Sequence, residues 1–377
     1  MVWSHRDRFL AVLERRRPDM VPITDLDIDG SIIEKVTGVQ MSGGGQQSPT
    51  IGEEANWQTV LRNIDAIIDA HRKLDFDAFL LTNYRLVRKG YKPKFIDQET
   101  FIDEWGRKMR IRKDTGITWY SGGTINTEEG LEAFAPPDVR EPGREEVLLH
   151  AIKNAGKDMA IGGEVQTGFV ISWEVRGGLD KLIIDMRRNP TFARKVMRKF
   201  ADSCFEFAKM MLDDGVDLLV LTDDYADNHG PMISPALFRE FELPYLKRVI
   251  DGAKKKGVPV MKHSDGNLYP ILDDIVDAGI TGLHPIEPGP MDIADVKKRY
   301  GNKIFLGGNV DCKIVLPYGS ESDVRKDVRR VIDAAGKDGG LILTSSNSLH
   351  SSVKVDNIYT MVDEARKYGR YNMPDRG

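Results

Sequence analysis

The chain has 377 residues, 41% of them hydrophobic, enough for a sizeable core in one large domain or two ordinary ones. Its net charge of −4 gives no electrostatic reason to expect nucleic acid or an anionic membrane as a partner. No apolar run approaches the ~20 residues that span a bilayer, the first residues lack the apolar core of a signal peptide, and two cysteines, Cys204 and Cys312, cannot build a disulfide framework. The expectation is a soluble chain in reducing, cytoplasmic surroundings, with a homodimer as an open question of assembly.

Short apolar runs rich in β-branched residues alternate with longer amphipathic stretches. That pattern predicts a parallel sheet wrapped by helices. Runs can be placed at residues 21–28, 76–82, 159–163, 217–222, 258–262, 279–283, 303–306 and 340–344. Eight such runs with helical crossovers predict a single (β/α)8 TIM barrel over 1–377, of the α/β class. No Gly-rich dinucleotide fingerprint follows the first run, which argues against an open doubly wound sheet. Pro190-Thr191 and Ser234-Pro235 read as helix starts, and Ser322, with Asp323 behind it, reads as the cap of a third helix. Gly257 and Gly336 read as helix stops. Two stretches depart from the barrel pattern. Residues 100–125 alternate like an inserted β-hairpin or small antiparallel sheet after the second strand, and 41–50 read as a mobile loop.

Nearly every predicted strand is apolar and then ends in a polar or ionisable residue. These are Asp27 and Asp29, Asn83, Glu164, Asp223 and Asp224, His263 and Asp265, His284 and Glu287, Asn309 and Asp311, Asn347 and His350. In a barrel such ends converge on one cavity, where carboxylates and imidazoles can hold a metal or perform acid–base chemistry. His263 and Asp265 stand two apart on an extended segment, so both face one way and suit zinc or a harder divalent ion. Further ligands would come from Glu164, Asp224, Glu287 or Asn347. A second set is Asp227, Glu242 and His263, and an unmetallated His–Asp pair is the other reading. Of Asp223 and Asp224 only one can face the cavity, and Asp224 is the favoured one. Prolines on both sides of Ile286-Glu287 would hold that glutamate rigidly, and Gly307-Gly308 would let the backbone approach a ligand.

The order of several segments resembles the uroporphyrinogen decarboxylase superfamily. They are Arg17-Pro18-Asp19-Met20-Val21-Pro22, Asp103-Glu104-Trp105-Gly106, Thr222-Asp223-Asp224, Ser234-Pro235 through Pro244-Tyr245, His263-Ser264-Asp265-Gly266-Asn267, Gly308-Asn309-Val310-Asp311 and Tyr368-Gly369-Arg370-Tyr371. The resemblance implies a (β/α)8 barrel and two main chemistries, decarboxylation and corrinoid-linked methyl transfer. The haem-pathway decarboxylase carries an arginine-rich stretch after its first strand, where this chain reads Thr24-Asp25-Leu26-Asp27-Ile28-Asp29-Gly30, and an aspartate where it has Asn83. The thiol-methylating branch binds zinc through His-x-Cys and a distant cysteine, where this chain has His263, Asp265 and Asn347.

The reading that follows is a methyltransferase moving a methyl group from a small methoxy or methylamine substrate to a corrinoid supplied by a partner protein. His263, Asp265, Asp224, Glu164 and Glu287 would be the catalytic set, with His263 and Asp265 as ligands of zinc. Asp27, Asn83, Tyr84, Tyr225, Asn309, Asn347 and His350 would line the substrate pocket. A decarboxylase of a small acid and a non-catalytic tetrapyrrole- or corrinoid-binding barrel are the alternatives.

Overall fold

The computed structural model describes residues 3–41, 57–82, 86–111 and 118–371. Seven strands form one all-parallel sheet: β1 (Ala78–Thr82), β6 (Ala160–Val165), β7 (Leu218–Leu221), β8 (Val260–His263), β9 (Gly282–His284), β10 (Phe305–Val310) and β11 (Leu341–Ser345). Each pairs with the next in that order. Nearly every residue of these strands is buried, as expected of a parallel sheet covered on both faces.

The first predicted run does not make a regular strand. Ile23 and Ile28 pair with Leu343 and Leu349 only as isolated parallel bridges. Pro22 has no amide to donate, and the Ile23 amide goes to Oδ2 of Asp77 at 2.7 Å, so no continuous ladder forms. The segment still ties the two sheet edges together. The Leu343 amide donates to Pro22 O at 2.8 Å on the β11 side, and the Asp77 amide donates to Ile23 O at 2.7 Å just ahead of β1.

The insertion between β1 and β6 is larger than a hairpin. The strands β2 (Lys94–Phe95), β3 (Thr100–Ile102), β4 (Arg107–Ile111) and β5 (Thr118–Gly123) make a four-stranded antiparallel sheet. It opens before residue 100 because Lys94 and Phe95 pair with Ile102 and Phe101. Asp103 organises the β3–β4 turn. Its Oδ1 accepts from the Trp105 and Arg107 amides, and its Oδ2 accepts from Arg107 Nε at 2.6 Å.

Helices cover the parallel sheet. Asn189 caps Pro190–Asp213, where proline occupies a first-turn position that needs no donor. Phe192, Val196, Phe200, Phe207 and Met211 bury one face of this helix. Ser234 caps the helix that starts at Pro235. Wider turns over Phe238–Glu242 precede Leu243–Lys256, and Pro244 has no amide with which to continue the regular ladder. Gly257 ends that helix in the left-handed conformation, at φ +70°.

The cap of Glu321–Val331 is Ser320 rather than Ser322. Ser320 accepts from the Asp323 amide while Asp323 accepts from the Ser320 amide, a reciprocal box that fixes the start two residues earlier. Gly336 does not stop the helix cleanly but closes a stretch of wide turns over Ile332–Gly336. Among the described residues, no helix is long and apolar enough to cross a membrane. The loop predicted at 41–50 lies, apart from Met41, outside the described residues.

Candidate functional site

A cavity of about 150 Å³ opens at the C-terminal ends of the parallel strands. Of the residues singled out in the sequence, Asp27, Glu164, Asp224, His263 and Asn347 line it. Asp27 stands in the 21–28 segment and each of the others on or just beyond a different strand, which is how residues from distant stretches of chain come to share one hollow. Thr82, Gln166, Thr222 and Ser348 also line it. Their uncharged side chains gave no chemical signal, although each stands at or just past the end of a strand.

Asp224 and His263 on the cavity wall meet Asp265, which stands beside the cavity rather than lining it. One ligand-capable atom from each lies within 4.8 Å of the others. His263 Nε2 is 3.8 Å from Asp224 Oδ1. The Asp265 amide donates to the same Asp224 oxygen at 3.0 Å, and Asn347 Nδ2 donates to Asp265 Oδ2 at 2.5 Å. The remaining oxygen, Asp265 Oδ1, is buried with no hydrogen-bond partner among the described residues. Gly266 makes the tight turn behind this group. At φ +82° a Cβ there would fall 2.4 Å from Asp227 O.

Burial and like charge shape the protonation of this group. Burial, with the charges of Asp224 and Glu287 added, pushes Asp265 up to about 7 despite the hydrogen bond from Asn347. Burial also raises Asp224, against the hydrogen bond from the Asp265 amide and the charge of Lys262. Burial, with a smaller contribution from Lys262, brings His263 down to about 3, so its imidazole is neutral. A neutral imidazole with a bare nitrogen, two carboxylates and an orphaned buried oxygen suit a divalent cation. The second ligand set does not come together. Asp227 is bound to the amides of its own loop, and Glu242 lies among the helices.

Several sequence candidates stand apart from the cavity. Glu287 is buried behind the 263–266 turn, accepting from the Gly266 amide at 2.8 Å and pairing with Lys313. Tyr225 is also buried, donating to Glu242 Oε1 at 2.6 Å. Asn309 Nδ2 donates to Ile286 O at 2.6 Å while Arg330 donates to its Oδ1. His350 Nε2 pairs with Cys312 O at 2.8 Å. Asn83 and Tyr84 lie outside the described residues. The Gly307-Gly308 pair admits protein rather than a ligand. A Cβ on Gly308 would meet Pro285 O at 2.2 Å, and one on Gly307 would meet His284 Cδ2 at 3.1 Å.

A fully buried polar cluster backs the β7 and β8 ends of the site. Asp223, facing away from the cavity, accepts from the Thr167 hydroxyl at 2.7 Å and the Val170 amide at 2.7 Å. Lys262 Nζ donates to Asp223 O at 2.5 Å and His263 O at 2.8 Å, so one ammonium holds the backbone beside both Asp224 and His263. The Thr167 hydroxyl has one proton and stands between Asp223 Oδ2 at 2.7 Å and Glu242 Oε1 at 2.5 Å, so the two carboxyls compete for it. Burial, with the Asp223 charge added, pushes Glu242 up to about 8, so that Glu242 is the carboxyl that keeps a proton at neutral pH.

A polar cavity at the C-terminal ends of a parallel sheet, with ionisable side chains at the strand ends, defines an α/β protein whose curled seven-stranded sheet is consistent with a TIM-like barrel. The uroporphyrinogen decarboxylase (URO-D) family model matches residues 95–368, and the chain belongs to that family. Family members at low identity include "Uroporphyrinogen decarboxylase" of Pseudoalteromonas atlantica, 21% identical over 96% of each chain. The protein of the same name from Photobacterium profundum is 23% identical over 97% of each. Among solved structures, a methyltransferase from Methanosarcina mazei superposes with a TM-score of 0.72 at 19% identity, over 97% of this chain and 99% of that one. A B12-independent methionine synthase from Shewanella sp. W3-18-1 gives a TM-score of 0.54 at 12% identity, over 93% and 98%.

Proposed function

We propose that this protein is a methyltransferase that takes a methyl group from a small methoxy or methylamine compound and passes it to a corrinoid carried by a partner protein. In this reading the seven parallel strands and the 21–28 segment act as an eight-membered barrel, with the cavity at its mouth. The convergence of Asp224, His263 and Asp265 carries the proposal. A methyl ether or amine is inert because its oxygen or nitrogen leaves poorly. A reduced cobalt that attacks the methyl carbon supplies the bonding electron pair, and the leaving atom keeps the pair from the broken bond. That atom needs a proton or a positive charge as the bond breaks.

His263, Asp224 and Asp265 would hold a divalent ion such as zinc, which would supply that positive charge. The residues themselves offer a second supply. Asp265, held near 7 by burial and like charge, can carry a proton to the leaving atom. Glu287 and Lys313 fix the turn that presents Asp265, since Glu287 binds both the Gly266 amide and the Lys313 ammonium. Lys262 holds the adjoining strand ends from behind.

The cavity's size and charge favour a small substrate that is not a polyanion. Its volume of about 150 Å³ is well below the roughly 300–1,000 Å³ of pockets for drug-sized ligands. Asp27, Glu164 and Asp224 on its wall would repel a polycarboxylate. The relatives named uroporphyrinogen decarboxylase favour a second reading, decarboxylation of a small acid in the same cavity. The test is incubation with a corrinoid protein reduced to Co(I) and a panel of methoxy and methylamine compounds. A donor-dependent shift of the corrinoid spectrum to its methylated form supports methyl transfer. No shift with any donor, together with carbon dioxide release from a carboxylic acid without corrinoid, would replace it by the second reading.

A further inference from the structure

We infer that His284 and Thr344 are positioning residues, which fix the proton of His263 on Nδ1 and leave its Nε2 bare toward Asp224. The chain of contacts begins at Thr344. Thr344 Oγ1 lies 2.6 Å from Ser345 O, and a carbonyl oxygen can only accept, so the single hydroxyl proton of Thr344 is committed there. The 3.0 Å contact between Thr344 Oγ1 and His284 Nε2 must then use a proton on His284 Nε2. Burial holds the His284 imidazole well below its ordinary value and therefore neutral, with one such proton, so His284 Nδ1 is an acceptor. Its 2.8 Å contact with His263 Nδ1 therefore takes the proton of His263. The ring nitrogen left bare on His263 is Nε2, the atom 3.8 Å from Asp224.

Three strands build this relay. His263 and His284 sit in register on neighbouring strands β8 and β9, and Thr344 is on β11, two strands beyond His284. The side chain of His284 has to pass over the intervening β10. Gly307 permits the crossing, because a Cβ there would stand 3.1 Å from His284 Cδ2 and 3.4 Å from His284 Cβ. Both imidazoles are buried, at 6% and 1% exposure, and the nitrogens of His284 are taken by His263 and Thr344. The arrangement is that of a metal-site imidazole oriented through its second nitrogen, with a histidine and a threonine as the orienting groups.

The inference rests on the proposed function only in taking His263 as the imidazole of the site, and its first test reads the ring directly. In metal-free protein labelled with ¹⁵N-histidine, two-bond ¹⁵N–¹H spectra at neutral pH distinguish the tautomers, and His263→Gln and His284→Gln assign the two rings. The expected result is a proton on Nδ1 of His263 and on Nε2 of His284. Thr344→Val, nearly equal in shape, should release both rings into mixed tautomers and weaken zinc binding by roughly 10-fold or more, with Thr344→Ser restoring both properties. A wild-type His263 protonated on Nε2, or a Thr344→Val spectrum identical to wild type, would overturn the inference. If Thr344→Val fails to fold, the wild-type spectrum decides alone. If zinc does not bind at all while the tautomers are as stated, the metal in the proposed function fails and the positioning role stands.

Discussion

Asn347 Nδ2 donates to Asp265 Oδ2 at 2.5 Å, joining the segment after β11 to the segment after β8 across the mouth of the cavity. The bond occupies one oxygen of Asp265 and leaves Oδ1, which is buried without a partner among the described residues, as the atom that would ligate an ion in the proposed site. It also lowers the proton affinity of a carboxyl that burial and two neighbouring carboxylates raise to about 7. Asn347→Ala should therefore leave the fold intact, shift Asp265 further upward and weaken zinc binding by roughly 10-fold, the usual cost of losing a residue that orients a ligand. Calorimetric titration with zinc at two pH values checks both effects.

Glu242 makes stability depend on pH in a direction opposite to that of an ion-paired carboxylate, whose proton affinity folding lowers. Its folded-state value, raised mainly by burial to about 8, lies above the ordinary glutamate value of about 4.3. Between those values the folded chain holds a proton that the unfolded chain has lost, so stability falls as pH rises through that window. Glu242→Gln removes this proton exchange and keeps a neutral amide in the same place. Denaturant unfolding at pH values inside the window should show the wild type losing stability relative to the variant by about 1.4 kcal/mol per pH unit. Parallel curves for the two proteins would refute the assignment.

Gly308 is fixed by its neighbours as well as by its backbone. Its φ is +144°, and a Cβ would stand 2.2 Å from Pro285 O, a backbone atom that cannot step aside. Gly308→Ala should destabilise the protein by about 2–3 kcal/mol and disturb the β9–β10 contact behind the site. Urea unfolding together with zinc affinity measures the two consequences.

The two serines at the start of the helix Glu321–Val331 have unequal roles. Ser320→Ala should cost about 1 kcal/mol, because Ser320 caps the helix and shares a capping box with Asp323. Ser322→Ala should stay within about 0.5 kcal/mol, because Ser322 is exposed in the first turn and takes no part in the capping box of Ser320 and Asp323. Thermal or urea unfolding of both variants separates them.

The apolar runs that became β1, β6–β11 were readable because a parallel sheet buried on both faces needs continuous apolar sequence. Their ends were readable because neighbouring parallel strands end on one side of the sheet, and Asp27, Glu164, Asp224, His263 and Asn347 line one cavity there. The first run misled as a strand because its ladder depends on long-range partners. Pro22 was visible in the sequence, but the diversion of the Ile23 amide to Asp77 was not. Ser320 was missed because Ser320 and Ser322 both precede an amphipathic run, and only the reciprocal bond with Asp323 separates them. Tyr225 and Asn309 looked like cavity residues from their positions after strands. A shift of one residue at a strand end turns the side chain to the other face, and that direction cannot be read from composition.

The metal content of the purified protein and of its His263→Ala and Asp265→Ala variants, after equilibration with zinc and removal of the excess, bears most directly on the central claim that these side chains form one site. About one equivalent per chain in the wild type, lost in both variants while their far-ultraviolet spectra stay unchanged, is the expected result. Equal metal in all three proteins, or none in any, would contradict it.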